Sequence, residues 1–384
     1  MIEESLVTAP AEADARAVRE AVAAARRGLV EREIVSEAVV LCAVAGEHLL
    51  VVGAPGTAKS EAVRRVAQQL GGRLFEYVLG RFTEPNEIFG PVDLRKLREG
   101  VVEVETSGML PEADVAFLDE VFLGSTAILN TLLGLLNERT YRRGSTAVDV
   151  PLRVCVGASN ALPDDPALEA FADRFLVRVF VEPVADARLE ELLEAGWDVQ
   201  EDVGAGVERL MPVVDRLALA ARQCELGAVR GHIAAAVRRL RAAGVPVSDR
   251  RAVRVQRLVA AAAVLDGRTT ASEADLWVLP LIAPTADAQA LARDTLADLM
   301  GSARNGSLAH AAEELSRGPA ARAERLAVAG DELLAGLGAV PYPRDERLRI
   351  EATLREIDAS FGADDVPQVL KDVRERLVAA VAAP

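Results

Sequence analysis

Short apolar runs recur along the first half of the chain, and each is followed by a polar turn and then by residues at helical spacing. The runs lie near 48–52, 74–78, 114–118, 153–158 and 175–181. The run at 115–120 is apolar at consecutive positions, which fits a parallel strand buried on both faces, and that at 153–160 is a β-branched apolar strand. Strands that alternate with helices predict an α/β unit built on a mostly parallel sheet. Ahead of the first run, an Ala-rich helix is expected near 11–28 and a second near 31–45, with Gly46 as its stop. Two segments break the alternation. Residues 91–108 read as a β-hairpin turning at Glu99-Gly100, and residues 139–152 as another turning at Gly144.

The second half reads as helical. Residues 185–284 lie between Pro183 and the vicinity of Pro280, and their stretch 227–244 carries Ile233, Val237 and Leu240 at helical spacing. Ser248-Asp249 supplies an N-cap for a helix running to about Leu265. Beyond 285 the expected helices are 287–301, 308–338 with a break near Pro319, 344–360 and 365–382. The breaks fall at Asn305-Gly306, at Pro341-Tyr342-Pro343 and from Gly362 to Pro367. This divides the chain into an α/β part at 1–184, an all-helical part at 185–284 and a C-terminal helical bundle at 285–384.

Composition narrows the class. At 384 residues the chain exceeds one ordinary domain. Its apolar fraction of 51% with only 4% aromatics suits many Ala-rich helices around an ample core. A net charge of −15 argues against non-specific binding to nucleic acid or to an anionic membrane. No apolar run reaches the roughly 18 residues of a membrane span, and no signal peptide opens the chain, so a cytoplasmic protein is expected. Cys42, Cys155 and Cys224 are odd in number and far apart, which predicts reduced thiols. His48, His232 and His310 have no ligand spacing, which argues against zinc.

The chemistry is concentrated in three strand ends. Residues 48–60, HLLVVGAPGTAKS, take an apolar strand into a glycine-rich turn that opens a helix. That is the P-loop pattern, whose backbone N–H groups and helix N-terminus form a nest for phosphate. Gly53, Ala54, Pro55, Gly56, Thr57 and Ala58 form the loop. Lys59 is placed to reach the β- and γ-phosphates of ATP, and Ser60 to hold Mg²⁺. Ala58 occupies the position before the lysine where glycine is usual, so the backbone there must tolerate a Cβ. Residues 115–120, VAFLDE, deliver Asp119 and Glu120 to a strand's C-terminal end, where open α/β sheets bind ligands. Asp119 suits the metal and Glu120 the attacking water. The plainer alternative is a pair of acids capping the next helix; their position about sixty residues past a P-loop argues for function. A third run, 153–160, ends in Ser159-Asn160, which taken alone is turn chemistry.

These segments, with FEYVLGRFTEPNEIFGPVDL (75–94), TSGMLPEADVAFLDEVF (106–122), AILNTLLGLLNERTYRRG (127–144), GASNALPDD (157–165), ADRF (172–175) and VSDRR (247–251), resemble AAA+ ATPases of the MoxR family, in particular its RavA-like branch. The resemblance covers roughly the first 280 residues and is strongest from about 48 to 180. It implies a P-loop domain with a parallel sheet, a helical lid and a C-terminal bundle. It further implies a Mg²⁺-dependent ATPase that forms a ring, often a hexamer, and remodels or matures protein clients, typically beside a partner bearing a von Willebrand A domain. By the same resemblance Asn160 is sensor 1, Arg174 the arginine finger and Arg250 the sensor 2 arginine, with Arg178 and Arg251 as their alternatives. The two expected hairpins match inserts of that clade. Other readings are the motor subunit of a metal-chelatase-like complex, or a nucleotide-binding scaffold, against which an intact Glu120 argues. A nucleic-acid motor is weaker still, given the charge and the lack of a basic aromatic groove.

Overall fold

The computed structural model describes residues 2–198, 210–301, 303, 305–317, 323, 326–327, 330–331, 333–335, 342–361 and 366–381. Among the described residues there are seven strands: β1 (Leu49–Gly53), β2 (Leu74–Val78), β3 (Val115–Asp119), β4 (Thr140–Arg143), β5 (Thr146–Asp149), β6 (Val154–Ser159) and β7 (Val177–Val181). Five of them form one sheet in the order β2-β3-β6-β1-β7. Every pairing in it is parallel, with Leu49 of β1 opposite Val156 on one side and Val177 on the other. All five expected strands of the sheet are there, within two residues of the expected positions.

Both faces of the sheet are covered, as the unbroken apolar runs require. Leu49 and Val51 point to one face and pack with α1 (Ile2–Arg26), α2 (Glu33–Ala45) and α3 (Lys59–Leu70). Leu50 and Val52 point to the other and pack with Leu132 and Leu135 of helix Thr126–Glu138. This is the period-two alternation of a strand buried from both sides. Helix α2 stops at Gly46, left-handed at φ 67°, where glycine carries no steric penalty.

The hairpin expected at 139–152 is β4–β5, turning through Gly144 at φ +61°. A side chain on Gly144 would also stand 2.7 Å from the Val102 carbonyl oxygen. The hairpin expected at 91–108 is corrected. Only one antiparallel bridge forms, Val92 with Val104, and a short helix, Leu94–Arg98, occupies the first arm. Asp93 is the reason: its carboxylate accepts from the Arg95 and Lys96 amides and nucleates a turn. Residues 101–104 bond sideways to the β4–β5 turn instead. Ser145 N donates to Val102 O at 3.0 Å, and Val104 N to Thr146 Oγ1 at 2.9 Å.

Helices Met211–Gln223, Arg230–Ala242 and Asp249–Leu265 follow, the last capped by Ser248 Oγ accepting from Arg251 N. Their apolar faces share a core with α1 and α2, and so do helices Ala286–Leu296 and Ala309–Arg317. Helices Arg344–Ser360 and Gln368–Val381 pack in a separate cluster through Ile350, Ile357, Leu370 and Leu377. The expected breaks at Pro319, Pro341 and 362–365 lie outside the described residues. Among the described residues no helix is long and apolar enough to cross a membrane.

Candidate nucleotide site

Gly53 through Ser60 link the end of β1 to the start of α3. Gly53 has no room for a side chain, since a Cβ would stand 2.2 Å from the Val181 carbonyl oxygen. Gly56 is left-handed at φ +79°, and so is Ala58 at φ 54°, ψ 27°. The loop therefore keeps the backbone geometry glycine would give and tolerates a methyl group there at a cost of about 1–2 kcal/mol. The first helical bond of α3 runs from Ala62 N to Ala58 O, leaving the amides of Lys59, Ser60 and Glu61 without helical acceptors. Lys59 folds back over the loop, with Nζ donating to Gly53 O at 2.7 Å and Ala54 O at 2.8 Å. Burial lowers its pKa, while Asp119 and Glu120 oppose that shift.

Asp119 ends β3, and Glu120 follows in a left-handed conformation, φ 50° and ψ 44°. Its amide donates to Asp119 Oδ1 at 3.0 Å. A non-glycine residue held at positive φ is strained, and such strain clusters at functional sites. Asn160 lies just past β6, and its Nδ2 donates to Glu120 Oε1 at 2.6 Å. In the sheet order β6 lies between β3 and β1, so Asn160 falls between the acids and the loop. The oxygen donors of Ser60 and Asp119 suit a hard cation such as Mg²⁺.

Arg174 and Arg250 are not part of this gathering. The loop lies past the C-terminal end of β1, whereas Arg174 precedes the first residue of β7, which pairs with the first residue of β1. Four residues of strand, at about 3.3 Å each, separate the two edges by more than roughly 13 Å. Among the described residues the buried Nε of Arg174 has no hydrogen-bond partner. Arg250 Nη2 donates to Asn137 Oδ1 at 2.7 Å. Asn137 lies in the last turn of helix Thr126–Glu138, whose Leu136 carbonyl accepts from His48, the residue before β1, so it too marks the N-terminal edge. Arg250 thus stands apart from the phosphate loop of its own chain. Helix Asp249–Leu265 docks its N-terminus where the strands begin, not where they end.

The two alternatives are buried struts. Arg251 Nε donates to Asp173 Oδ1 at 2.6 Å, and its Nη atoms donate to the carbonyls of Phe175, Leu176 and Ile282. Arg178 lies within β7 and donates to Pro284 O at 2.5 Å; burial lowers its pKa to about 10. Sequence reasoning also missed Arg32. It is 3% exposed, yet it donates to the Thr57 carbonyl of the loop at 2.6 Å. A lone arginine opening an Ala/Val-rich helix was the only signal.

A five-stranded parallel sheet with a P-loop after one strand, paired acids after a second and a polar residue after a third, followed by a helical lid, defines a P-loop ATPase of the AAA+ class. The family model for the MoxR domain in the MoxR-vWA-beta-propeller ternary systems matches residues 16–217, just over half of the chain, and an AAA lid domain model matches 228–289. The chain belongs to the MoxR family of AAA+ ATPases. It is similar to two uncharacterized proteins of Methanocaldococcus jannaschii. MJ0812 is 36% identical over 62% of this chain and 63% of its own length, and MJ0079 is 34% identical over 62% of each. The chain thus spans less than two thirds of these relatives. Chaperone MoxR1 of Mycobacterium tuberculosis is 26% identical over 44% of this chain and 45% of its own. The crystal structure of a candidate ATPase from Cytophaga hutchinsonii shares the fold at a TM-score of 0.63 and 16% identity, over 79% of this chain and 99% of that one.

Proposed function

We propose that this chain is a Mg²⁺-dependent, ATP-hydrolysing ring motor of the RavA-like kind that remodels or matures partner proteins. One observation carries the reading. Lys59, Ser60, Asp119, Glu120 and Asn160 converge at the C-terminal edge of the sheet, while Arg174 and Arg250 stand at the opposite edge. A site that holds Lys59 but neither Arg174 nor Arg250, in a chain carrying both arginines at the opposite edge, is completed head to tail by a second copy. Repetition of one heterologous contact closes a ring, and a hexamer is the expected count.

The chain's own residues divide the work as follows. The loop amides and Lys59 bind the phosphates. Ser60 and Asp119 hold Mg²⁺, which when bound neutralises charge developing on the phosphates. Glu120 orients and polarises the attacking water, and Asn160 fixes the Glu120 carboxylate. Arg174 reaches the γ-phosphate of the neighbouring copy, with Arg250 beside it. The partner expected from the MoxR-vWA systems is a von Willebrand A domain protein, with the α/β part at 1–184 driving the lid at 185–284 and the bundle at 285–384. Three free thiols support a cytoplasmic setting. The test is the dependence of ATPase activity on protein concentration. Specific activity should rise as copies associate, and a constant value from monomer to saturation would contradict a shared site.

A further inference from the structure

Arg32 stands at the start of α2, between three parts of the chain that meet beside the phosphate loop. Its Nε donates to Thr57 O at 2.6 Å, one Nη to Glu182 O at 2.9 Å and the other to Glu31 O at 2.5 Å. Thr57 belongs to the loop, and Glu182 directly follows β7. Among the described residues no carboxylate lies within ion-pair distance of the guanidinium. Buried charges are ordinarily paired, because desolvating one is costly. Here backbone carbonyls take its hydrogen bonds; burial lowers its pKa, with the more distant charges of Glu31 and Glu33 opposing that shift. The backbone is also strained to hold it. Glu31 is left-handed at φ 55°, and its carboxylate accepts from Ala185 N at 3.3 Å, with Arg188 at 3.8 Å.

We propose that Arg32 is a positioning residue for the nucleotide, holding the Thr57 carbonyl away from the phosphates so that the loop stands ready for a nucleoside di- or triphosphate. The fork of a guanidinium suits this task, because it satisfies several carbonyls in fixed directions, whereas an ammonium is a point charge. The Thr57 carbonyl, pulled toward Arg32, keeps the peptide plane oriented with the Ala58 amide on the opposite side. Glu182 links the same guanidinium to the segment leading into helix Leu189–Asp198, so the loop and that segment shift together. The inference rests on the nucleotide-site reading above.

The test is titration of ADP and ATP with Mg²⁺ into wild type, Arg32→Met and Arg32→Lys, alongside thermal unfolding without nucleotide and steady-state turnover. Arg32→Met should weaken ADP and ATP binding in parallel, by about tenfold or more, raising KM while kcat at saturation stays within about threefold. Arg32→Lys should recover part of the affinity. Unchanged affinity in folded Arg32→Met, even with a lowered melting temperature, would overturn the role and leave a purely structural arginine. Loss for ATP alone would also overturn it, since that marks a direct γ-phosphate contact. Should Arg32→Met fail to fold, Arg32→Lys decides: wild-type affinity overturns the fork argument, and parallel weakening supports it. A wild type that binds neither nucleotide would overturn the proposal together with the reading it rests on.

Discussion

The side-chain amide of Asn160 donates to Oε1 of Glu120 at 2.6 Å, joining two strand ends that are forty residues apart in sequence. Glu120 is left-handed at φ 50°, and its carboxylate is held by this contact rather than left to rotate. In the proposed mechanism the pair would set the direction in which a water is polarised. Glu120→Gln should bind ATP and turn it over at least about tenfold more slowly, because the cradle remains while the polarising group is lost. Asn160→Ala should also slow turnover with ATP affinity retained. Near wild-type turnover in Glu120→Gln, measured by phosphate release, would remove this residue from the mechanism.

Ala58→Gly should stabilise the protein. The residue sits at φ 54°, where alanine is strained and glycine is not, although glycine costs more entropy on folding. The expected net gain is about 0.5–1 kcal/mol in denaturant unfolding, with ATPase activity preserved. A destabilised Ala58→Gly would mean that the loop relaxes out of the left-handed conformation in solution.

His48 gives a pH dependence of defined sign. Its Nδ1 accepts from Cys155 N at 3.0 Å and its Nε2 faces Leu136 O at 3.0 Å, which fixes the neutral tautomer with the proton on Nε2. Burial first, and then Arg139, hold its pKa well below 6.5. A depressed histidine pKa contributes stability that is fully present above 6.5 and is lost as pH falls below it, by at most about 1.4 kcal/mol per pH unit. The stability difference between pH 7.5 and 5.5 should therefore shrink in His48→Gln relative to wild type. His310, raised by its hydrogen bond to Glu37, works in the opposite sense but is common to both proteins. An unchanged difference would show that His48 is not buried neutral.

Arg251 should behave as a strut, not as a nucleotide contact. Its guanidinium ties the lid helix to Asp173, Phe175, Leu176 and Ile282. Removing one partner of such a buried network costs on the order of 3–5 kcal/mol. Arg251→Met should therefore lower the unfolding midpoint sharply, whereas Arg250→Ala, on a half-exposed side chain, should change it little. Equal stabilities for the two variants would reverse the assignment.

The phosphate loop, the paired acids and Asn160 were legible because each sits at the end of a short apolar strand, so sequence order alone brings them to one edge. The β4–β5 hairpin was legible through Gly144. The segment 91–108 was not, because Val101, Val102 and Val104 read as a strand arm while Asp93 had already committed its partner arm to a helix. Which of two neighbouring arginines turns inward was equally hidden. Arg250 and Arg251 differ only in how helix Asp249–Leu265 docks, a contact that spans 78 residues to Asp173. Arg32 was missed for the same reason: its acceptors lie 25 and 150 residues away.

The shared site is the central claim, and mixing two disabled variants tests it most directly. Lys59→Ala lacks a working cradle, and Arg174→Ala lacks the cation at the far edge. Each alone should hydrolyse ATP at a small fraction of the wild-type rate, since an arginine supplied in trans contributes about 10³-fold or more. Mixed before assembly, an intact cradle on one copy can meet an intact Arg174 on its neighbour, and part of the activity should return. No recovery in assemblies shown to contain both variants would contradict the account.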